Sequence, residues 1–127
     1  MKKTIALALA TIAIAACTST PGPMVETGYP TGSLALAAIE RGDWATAETL
    51  LTQDRRVETD DPARLINLGR VYMATGRTGE AVAAWRRALA APSPVEVETI
   101  DGRMATTDQL AREALDRYER TLVTAAR

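Results

Sequence analysis

The strongest constraint on the fold is that the chain resembles itself at a spacing of 34 residues. Residues of the same character recur at this spacing, whether apolar, small or turn-forming. The pairs are Leu34 with Leu68, Ala35 with Gly69, Ala38 with Tyr72, Gly42 with Gly76, Ala47 with Ala81 and Leu51 with Trp85. A fixed period of this size indicates stacked supersecondary units, each of which buries its apolar face against its neighbour.

The second copy of the repeat has the pattern of two amphipathic helices. Its apolar and small residues recur with helical spacing in two groups, Leu65, Leu68, Gly69 and Tyr72, then Ala81, Trp85, Ala88 and Leu89. Asp61 and Pro62 provide an N-cap and a first helical residue, and Gly76 ends the first helix. The same interpretation applied to the first copy of the repeat predicts, for the two copies together, helices at about 30–41, 43–55, 62–75 and 78–91.

Small residues predict where the two helices of the second copy touch. Gly69 and Ala81 carry little bulk, so the helices can approach closely and leave Tyr72 and Trp85 to fill the space between them. Trp44 has the matching character in the first copy. We therefore expect all three aromatic residues to be core residues instead of parts of a cofactor site.

The second copy resembles the tetratricopeptide repeat almost position for position. The residues that carry this resemblance are Leu65, Ile66, Asn67, Leu68, Gly69, Arg70, Val71, Tyr72, Gly76, Glu80, Ala81, Trp85, Ala88 and Leu89. In the first copy residues 42–47 match the turn and second helix, whereas Asp54 replaces the family's usual alanine. The resemblance implies an all-α fold of antiparallel helix pairs, an α-α superhelix with two repeats at about 28–61 and 62–94.

The repeat pattern stops after about residue 92. Residues 95–100 alternate apolar and polar side chains and meet Asp101 and Gly102, which predicts a β-hairpin over 95–106. Thr106 and Gln109 form a capping box that starts a helix over 107–126. We interpret this amphipathic helix as the cap of a helical domain spanning 29–127. A partner-binding or membrane-surface helix is the alternative, although its mixed charges disfavour lipid.

The first 17 residues have the layout of a bacterial export signal. Lys2 and Lys3 precede an apolar run of about a dozen residues, which is too short to span a bilayer. Ile14-Ala15-Ala16-Cys17 resembles the lipobox of bacterial lipoproteins, in which the cysteine is lipidated and becomes the first mature residue. An ordinary secretory signal followed by an accidental cysteine is the alternative.

The lipobox resemblance implies how the chain is divided and where it is held. Residues 1–16 would be the signal peptide, and residues 17–28 the lipidated cysteine with a tether rich in Thr, Ser, Pro and Gly. Thr18 stands where an aspartate would typify retention in the inner membrane, so the resemblance implies the outer membrane, with the domain facing the periplasm. The tether would reach about 17–20 Å on average.

Composition removes most other functions. The chain has no histidine and a single cysteine, and its only lysines are Lys2 and Lys3, so the usual nucleophilic and zinc-binding arrangements are unavailable. Asp60 and Asp61 could act as acid and base, but they are better explained as linker and helix cap. A net charge of −1 argues against nucleic acid. We expect no catalytic site, metal, cofactor or small-molecule substrate.

The tetratricopeptide resemblance implies a protein-binding groove lined by the first helix of each repeat. Its positions in this chain are Tyr29, Leu36, Ile39, Ile66, Asn67, Arg70 and Met73. The subset of the family that grips a C-terminal carboxylate uses lysine and asparagine where this chain has Gly32 and Leu36, and only Asn67 matches it. We therefore expect an apolar peptide or helix that contacts Ile66 and Met73 and is oriented by Arg70.

These expectations combine into one leading function. It is a lipid-anchored periplasmic interaction module, an accessory or scaffold for an envelope assembly such as a pilus, a secretin or an outer-membrane complex. One alternative is a structural or self-associating lipoprotein whose terminal helix covers the groove. If the groove binds nothing, the acidic hairpin around Glu96 and Glu98 is the next candidate interface.

The first prediction concerns the membrane anchor. Replacing Cys17 with alanine removes the thiol that would carry the lipid, so Cys17→Ala should lose fractionation with membranes or block normal processing of the precursor. Membrane fractionation and the mass of the mature chain measure both effects. Unchanged processing together with unchanged membrane association would contradict the lipoprotein interpretation.

Overall fold

The computed structural model describes residues 28–127, and the predicted signal peptide, Cys17 and most of the tether lie outside this range. The elements in chain order are α1 (Leu36–Glu40), α2 (Trp44–Gln53), α3 (Pro62–Ala74), α4 (Thr78–Leu89), β1 (Glu96–Glu98), β2 (Met104–Thr106) and α5 (Thr107–Ala125). The two strands form one antiparallel sheet. The predicted all-α fold, with its hairpin and terminal helix, is confirmed.

The first predicted helix is the main error in the secondary-structure prediction. It was expected from about residue 30, but α1 begins at Leu36. The preceding segment makes two turns, in which the Ser33 amide donates to the Pro30 carbonyl and the Ala35 amide donates to the Gly32 carbonyl. Gly32 and Ala35 have φ of 80° and 57°. Left-handed backbone at two positions cannot continue an α-helix, so only the last turns of this segment are helical.

Helix α3 starts where the sequence predicted. The Asp61 carboxylate accepts a hydrogen bond from the Arg64 amide at 3.0 Å, and Pro62 is the first residue of the helix. Proline has no amide to lose at this position, and the aspartate satisfies one of the amides that have no partner within the helix. The N-cap prediction is therefore confirmed.

The two helices of the second repeat meet at one glycine. The indole of Trp85 lies directly on Gly69, where a Cβ atom would come within 2.2 Å of the indole Nε1. That Nε1 donates to the Ile66 carbonyl at 3.2 Å, so the buried polar atom is satisfied. Trp85 is only 6% exposed, which confirms that it is a core residue.

Tyr72, the other residue predicted to lie between α3 and α4, packs where the two repeats meet. Tyr72 and Trp44 are half-buried and pack against one core cluster, whose members are Ala35, Ala38, Ile39, Ala47, Leu51, Leu68 and Val71. The Arg77 guanidinium lies 4.5 Å from the centre of the Tyr72 ring. It also makes a two-pronged ion pair with Glu48 of α2, with N···O distances of 2.8 and 2.6 Å. This ion pair lowers the pKa of the Glu48 carboxyl.

A buried arginine holds the connection between the repeats. The Arg64 side chain extends from the first turn of α3 and donates through Nη1 to the carbonyls of Asp54 and Val57, at 2.9 and 2.7 Å. Both carbonyls belong to the segment that links α2 to α3. The hydrogen bonds from the Arg64 guanidinium give both carbonyl oxygens a partner, which allows this non-helical segment to pack against the repeat core.

Helix α5 packs beside the second repeat. It contacts both α3 and α4, and its Ala111 is fully buried with Leu65 and Ala88. Gln109 accepts a hydrogen bond from the Thr106 amide at 3.1 Å, as the predicted capping box requires. The last residues, 119–127, are all exposed, so the helix extends past its packing surface.

The second prediction tests the contact between α3 and α4. Gly69→Ala should lower the free energy of unfolding by about 1–3 kcal/mol, because the new methyl group overlaps the Trp85 indole and one of the helices must shift. Gly79→Ala is the matched control, since Gly79 lies in α4 and a Cβ there meets nothing within 4 Å. The control should gain about 0.4–1 kcal/mol. Urea denaturation of both variants measures the difference, and equal stabilities would contradict the helix contact.

Candidate functional site

A cleft of about 150 Å³ opens between α1, α3, the hairpin and the start of α5. Its lining is mostly apolar and consists of Tyr29, Leu34, Leu36, Ala63, Ile66, Asn67, Arg70, Val97, Glu98, Thr99, Ile100 and Leu110. The first helix of each repeat and the terminal helix each contribute a wall. We refer to this feature as the cleft.

Helix α3 separates the cleft from the core. Ala63, Ile66, Asn67 and Arg70 follow each other at helical spacing and form one wall of the cleft. The neighbouring stripe of α3, which includes Leu65 and Gly69, faces the core and α4. The position of α3 against Trp85 therefore decides which of its side chains reach the cleft.

The structure brings most of the predicted groove residues together. Five of the seven line the cleft: Tyr29, Leu36, Ile66, Asn67 and Arg70. Ile39 does not, because it is 2% exposed and belongs to the core cluster of the first repeat. Met73 is half-buried and lies one turn of α3 beyond Arg70, outside the lining of the cleft. Ile39 is therefore a core residue and not part of the cleft.

Two polar groups of the cleft are occupied by contacts within the chain. The Tyr29 hydroxyl donates to the Asp61 carboxylate, with distances of 3.1 and 3.0 Å to its two oxygens. The Asn67 side-chain amide donates to the Leu34 carbonyl at 2.9 Å. Together these bonds attach the segment before α1 to α3. Asn67 therefore stabilises the fold through this hydrogen bond and also lines the cleft.

Arg70 is the cation of the cleft. It is exposed, and within residues 28–127 it makes no ion pair with a carboxylate. Glu98 of β1 also lines the cleft and has no ion pair in the described part of the chain. The apolar surface is thus bordered by one charge of each sign that has no ion pair within residues 28–127.

The hairpin forms a wall of the cleft that was not predicted from the sequence. Val97, Glu98, Thr99 and Ile100 line the cleft, and so does Leu110 of α5. The alternation of residues 95–100 and the Asp101-Gly102 turn predicted the hairpin itself, but no local signal says which surface it covers. Its apolar face meets the core through Val97, which clusters with Leu34 and Ala63.

Thr107 sets the position of the hairpin. Its side chain is fully buried, its Oγ1 accepts a hydrogen bond from the Val95 amide at 3.0 Å, and its own amide donates to the Val95 carbonyl at 2.9 Å. At the other end of the hairpin Arg103 makes a two-pronged ion pair with Glu113 of α5, at 2.9 and 3.2 Å. The hairpin is therefore fastened to α5 at both ends.

Neither a membrane-spanning helix nor a metal-binding cluster occurs in the part of the chain that the structure describes. No helix among residues 28–127 combines the length and the apolar character needed to cross a membrane. Within the same residues, no group of three or more His, Cys, Asp or Glu side chains is placed to hold a metal ion.

The third prediction concerns the bond between Tyr29 and Asp61. Burial, and then the hydrogen bond to Asp61, raise the pKa of the Tyr29 phenol above its ordinary value of 10.0. The folded protein therefore holds this proton more tightly than the unfolded chain. The resulting stabilisation is complete below pH 10 and is lost as the pH rises above it.

Tyr29→Phe removes both the bond and this dependence on pH. The variant should lose about 0.5–1.5 kcal/mol at neutral pH, and its stability should fall less than that of the wild type between pH 9 and pH 11. Urea denaturation at several pH values measures both effects. Parallel curves for the two proteins at alkaline pH would contradict the assigned bond.

The comparison with known families agrees with this geometry. The family model for the tetratricopeptide repeat matches residues 28–53 and 62–87, which contain α1 with α2 and nearly all of α3 with α4. No curated protein and no solved structure matches the chain. Tetratricopeptide repeats typically form scaffolds that bind other proteins. The chain therefore contains tetratricopeptide repeats within residues 28–87, arranged in an all-α fold of that type.

Proposed function

We propose that this protein is a lipid-anchored interaction module, held at the outer membrane and facing the periplasm, whose cleft binds a segment of a protein partner. The partner would belong to an envelope assembly such as a pilus, a secretin or an outer-membrane complex. The observation that carries the proposal is the cleft itself, which combines an open apolar surface with the Arg70 cation, unpaired among the described residues, on a tetratricopeptide fold.

The size and composition of the cleft favour a peptide segment over a small molecule. Its volume is about 150 Å³, whereas pockets that enclose a drug-sized ligand have about 300–1,000 Å³. A space of this size accepts one or two apolar side chains while the rest of the ligand remains outside. Leu36, Ile66 and Leu110 supply apolar contacts from three different helices.

Arg70 would orient the bound segment. A cation at the edge of an apolar surface attracts a carboxylate of the partner, either an acidic side chain or a chain terminus. Because Arg70 has no ion pair among the described residues, binding a carboxylate would not require an existing ion pair to break.

The anchor part of the proposal depends on the sequence before residue 28. Cys17 of the lipobox-like motif would carry the lipid, and the tether would connect it to Tyr29. Since Tyr29 lines the cleft, the tether joins the domain beside the binding surface. The anchor would therefore hold the cleft close to the membrane and to partners assembled there.

A second candidate function is self-association through the end of α5. Leu122 and Val123 are 51% and 59% exposed, in the last turns of α5, where every residue is exposed. Exposed apolar side chains at a helix end can pair with a second copy. Sedimentation velocity over a range of concentrations distinguishes this structural role from a role as an adaptor.

The fourth prediction tests Arg70. Arg70→Glu should abolish capture of the partner that is crosslinked to the wild type in intact envelopes and identified by mass spectrometry, because it places a like charge opposite the partner's carboxylate. The denaturation midpoint should hardly change, since an exposed charge contributes little to folding. Arg117→Glu is the matched control, because Arg117 is an exposed helical arginine outside the cleft.

The capture and stability measurements on Arg70→Glu distinguish three outcomes. Loss of capture in Arg70→Glu with retained stability, and retained capture in Arg117→Glu, support the cleft as the binding site. Loss of stability together with capture would make Arg70 a structural residue. Retained capture with retained stability would remove Arg70 from the interface.

A further inference from the structure

Among the residues that the structure describes, the hairpin has a free backbone edge beside the cleft. Residues of β1 line the cleft, whereas no residue of β2 does, so β1 is the strand that borders it. In a two-stranded sheet each strand has one edge without a partner strand, and such an edge is a template for an added strand. The backbone groups on this edge can be identified from the hydrogen bonds of the hairpin.

The hydrogen bonds alternate along β1. The Thr99 amide donates to the Arg103 carbonyl, and the Thr107 amide donates to the Val95 carbonyl. With Val97 opposite Ala105 in the register, residues 95, 97 and 99 direct their backbone groups towards β2. The N–H and C=O groups of Glu96 and Glu98 therefore point away from β2, along the free edge.

The side chains of β1 alternate as well. Val97 is buried among the apolar residues beneath the hairpin, while the side chains of Glu96 and Glu98 leave the strand on the opposite side and are exposed, with Glu98 at the border of the cleft. Within residues 28–127 neither glutamate makes an ion pair. A strand added to this edge would have one face against apolar surface and the other beside the carboxylates of Glu96 and Glu98.

We propose that the cleft binds an extended segment of a protein partner as a third strand on the free edge of β1, with apolar side chains in the cleft and basic side chains beside Glu96 and Glu98. This inference rests on the proposed function, because it assumes that the cleft binds a protein. Main-chain hydrogen bonds to Glu96 and Glu98 supply affinity, and the alternation of apolar and basic residues supplies specificity. The partner is thus recognised by an extended pattern and not by an amphipathic helix.

Two N-methylated peptides test this proposal without altering the protein. The probes are fluorophore-labelled peptides of alternating valine and lysine, unmodified, N-methylated on the lysines only, or N-methylated on the valines only. In an antiparallel pair the lysines opposite Glu96 and Glu98 exchange hydrogen bonds with them, so the lysine amides point at β1. In a parallel pair the hydrogen bonds come from the neighbouring residues, so the valine amides point at β1. Binding by fluorescence anisotropy should therefore be lost in one N-methylated peptide and retained in the other.

The remaining binding modes give different results. A helical peptide would lose binding in both N-methylated forms, because either pattern breaks the hydrogen bonds of a helix. Recognition by side chains alone would lose binding in neither. Either result overturns the proposal, and so does the absence of binding by the unmodified peptide at millimolar concentration.

The charges are tested with matched double variants. A valine–glutamate peptide should bind the wild type about tenfold more weakly than the valine–lysine peptide. Glu96→Lys with Glu98→Lys should reverse this preference, whereas Glu58→Lys with Glu119→Lys, which changes two exposed glutamates elsewhere, should leave it unchanged. An unchanged preference in the first variant would overturn the assignment of the two carboxylates.

Amide hydrogen exchange locates the added strand. Binding should slow exchange of the Glu96 and Glu98 amides, whereas the Val97 amide already faces β2 and should change less. Unchanged exchange at Glu96 and Glu98 would overturn the proposal. A dimer seen by sedimentation without peptide, and lost in the Glu96→Lys, Glu98→Lys variant, would assign the edge to a second copy instead.

Failure of this inference can be distinguished from failure of the proposed function. If Arg70→Glu abolishes capture of the envelope partner while the two N-methylated peptides behave alike, the cleft binds a protein but not as an added strand. If the peptides behave as expected while capture does not depend on Arg70, the edge binds extended chains and the assigned role of Arg70 is wrong.

Discussion

The contact between the Trp85 indole and Gly69 determines how the second repeat is packed and where the cleft lies. The absence of a side chain at Gly69 lets α4 approach α3 until the indole lies on the backbone, and the indole N–H satisfies the Ile66 carbonyl. This contact sets the rotation of α3 about its own axis. One stripe of α3 is thereby committed to the core, and the stripe that contains Ile66 and Arg70 is left to form the cleft.

Two polar anchors then complete the site from outside the second repeat. Asp61 caps α3 and also binds the Tyr29 hydroxyl, so the segment before α1 is attached where α3 begins. Thr107 is buried at the start of α5 and holds the base of the hairpin. Each anchor uses a residue at a helix start, where backbone groups need partners in any case. Two residues at helix starts, Asp61 and Thr107, therefore also attach the walls of the cleft to the repeat.

Sequence reasoning succeeded where local chemistry decides the structure. The capping residues, the glycine turns, the hairpin and the spacing of α3 and α4 are short-range features, and each was placed correctly to within a few residues. It failed for the first half of the first helix, where left-handed backbone at Gly32 and Ala35 overrides a plausible helical pattern. The tetratricopeptide resemblance implied a groove position for Ile39, but this residue packs into the core of the first repeat.

The amino-acid sequence was sufficient to establish the repeat, the helix pairs and the type of residue at each turn, because these features arise from periodicity and from the conformational preferences of neighbouring residues. Three other features required the packing of the whole chain: the hairpin borders the groove, Asn67 is engaged by the Leu34 carbonyl, and Arg70 and Glu98 face the same cleft. These relations join residues that lie from about 30 to about 70 positions apart in the chain. They depend on how entire elements pack, and no local pattern in the chain encodes them.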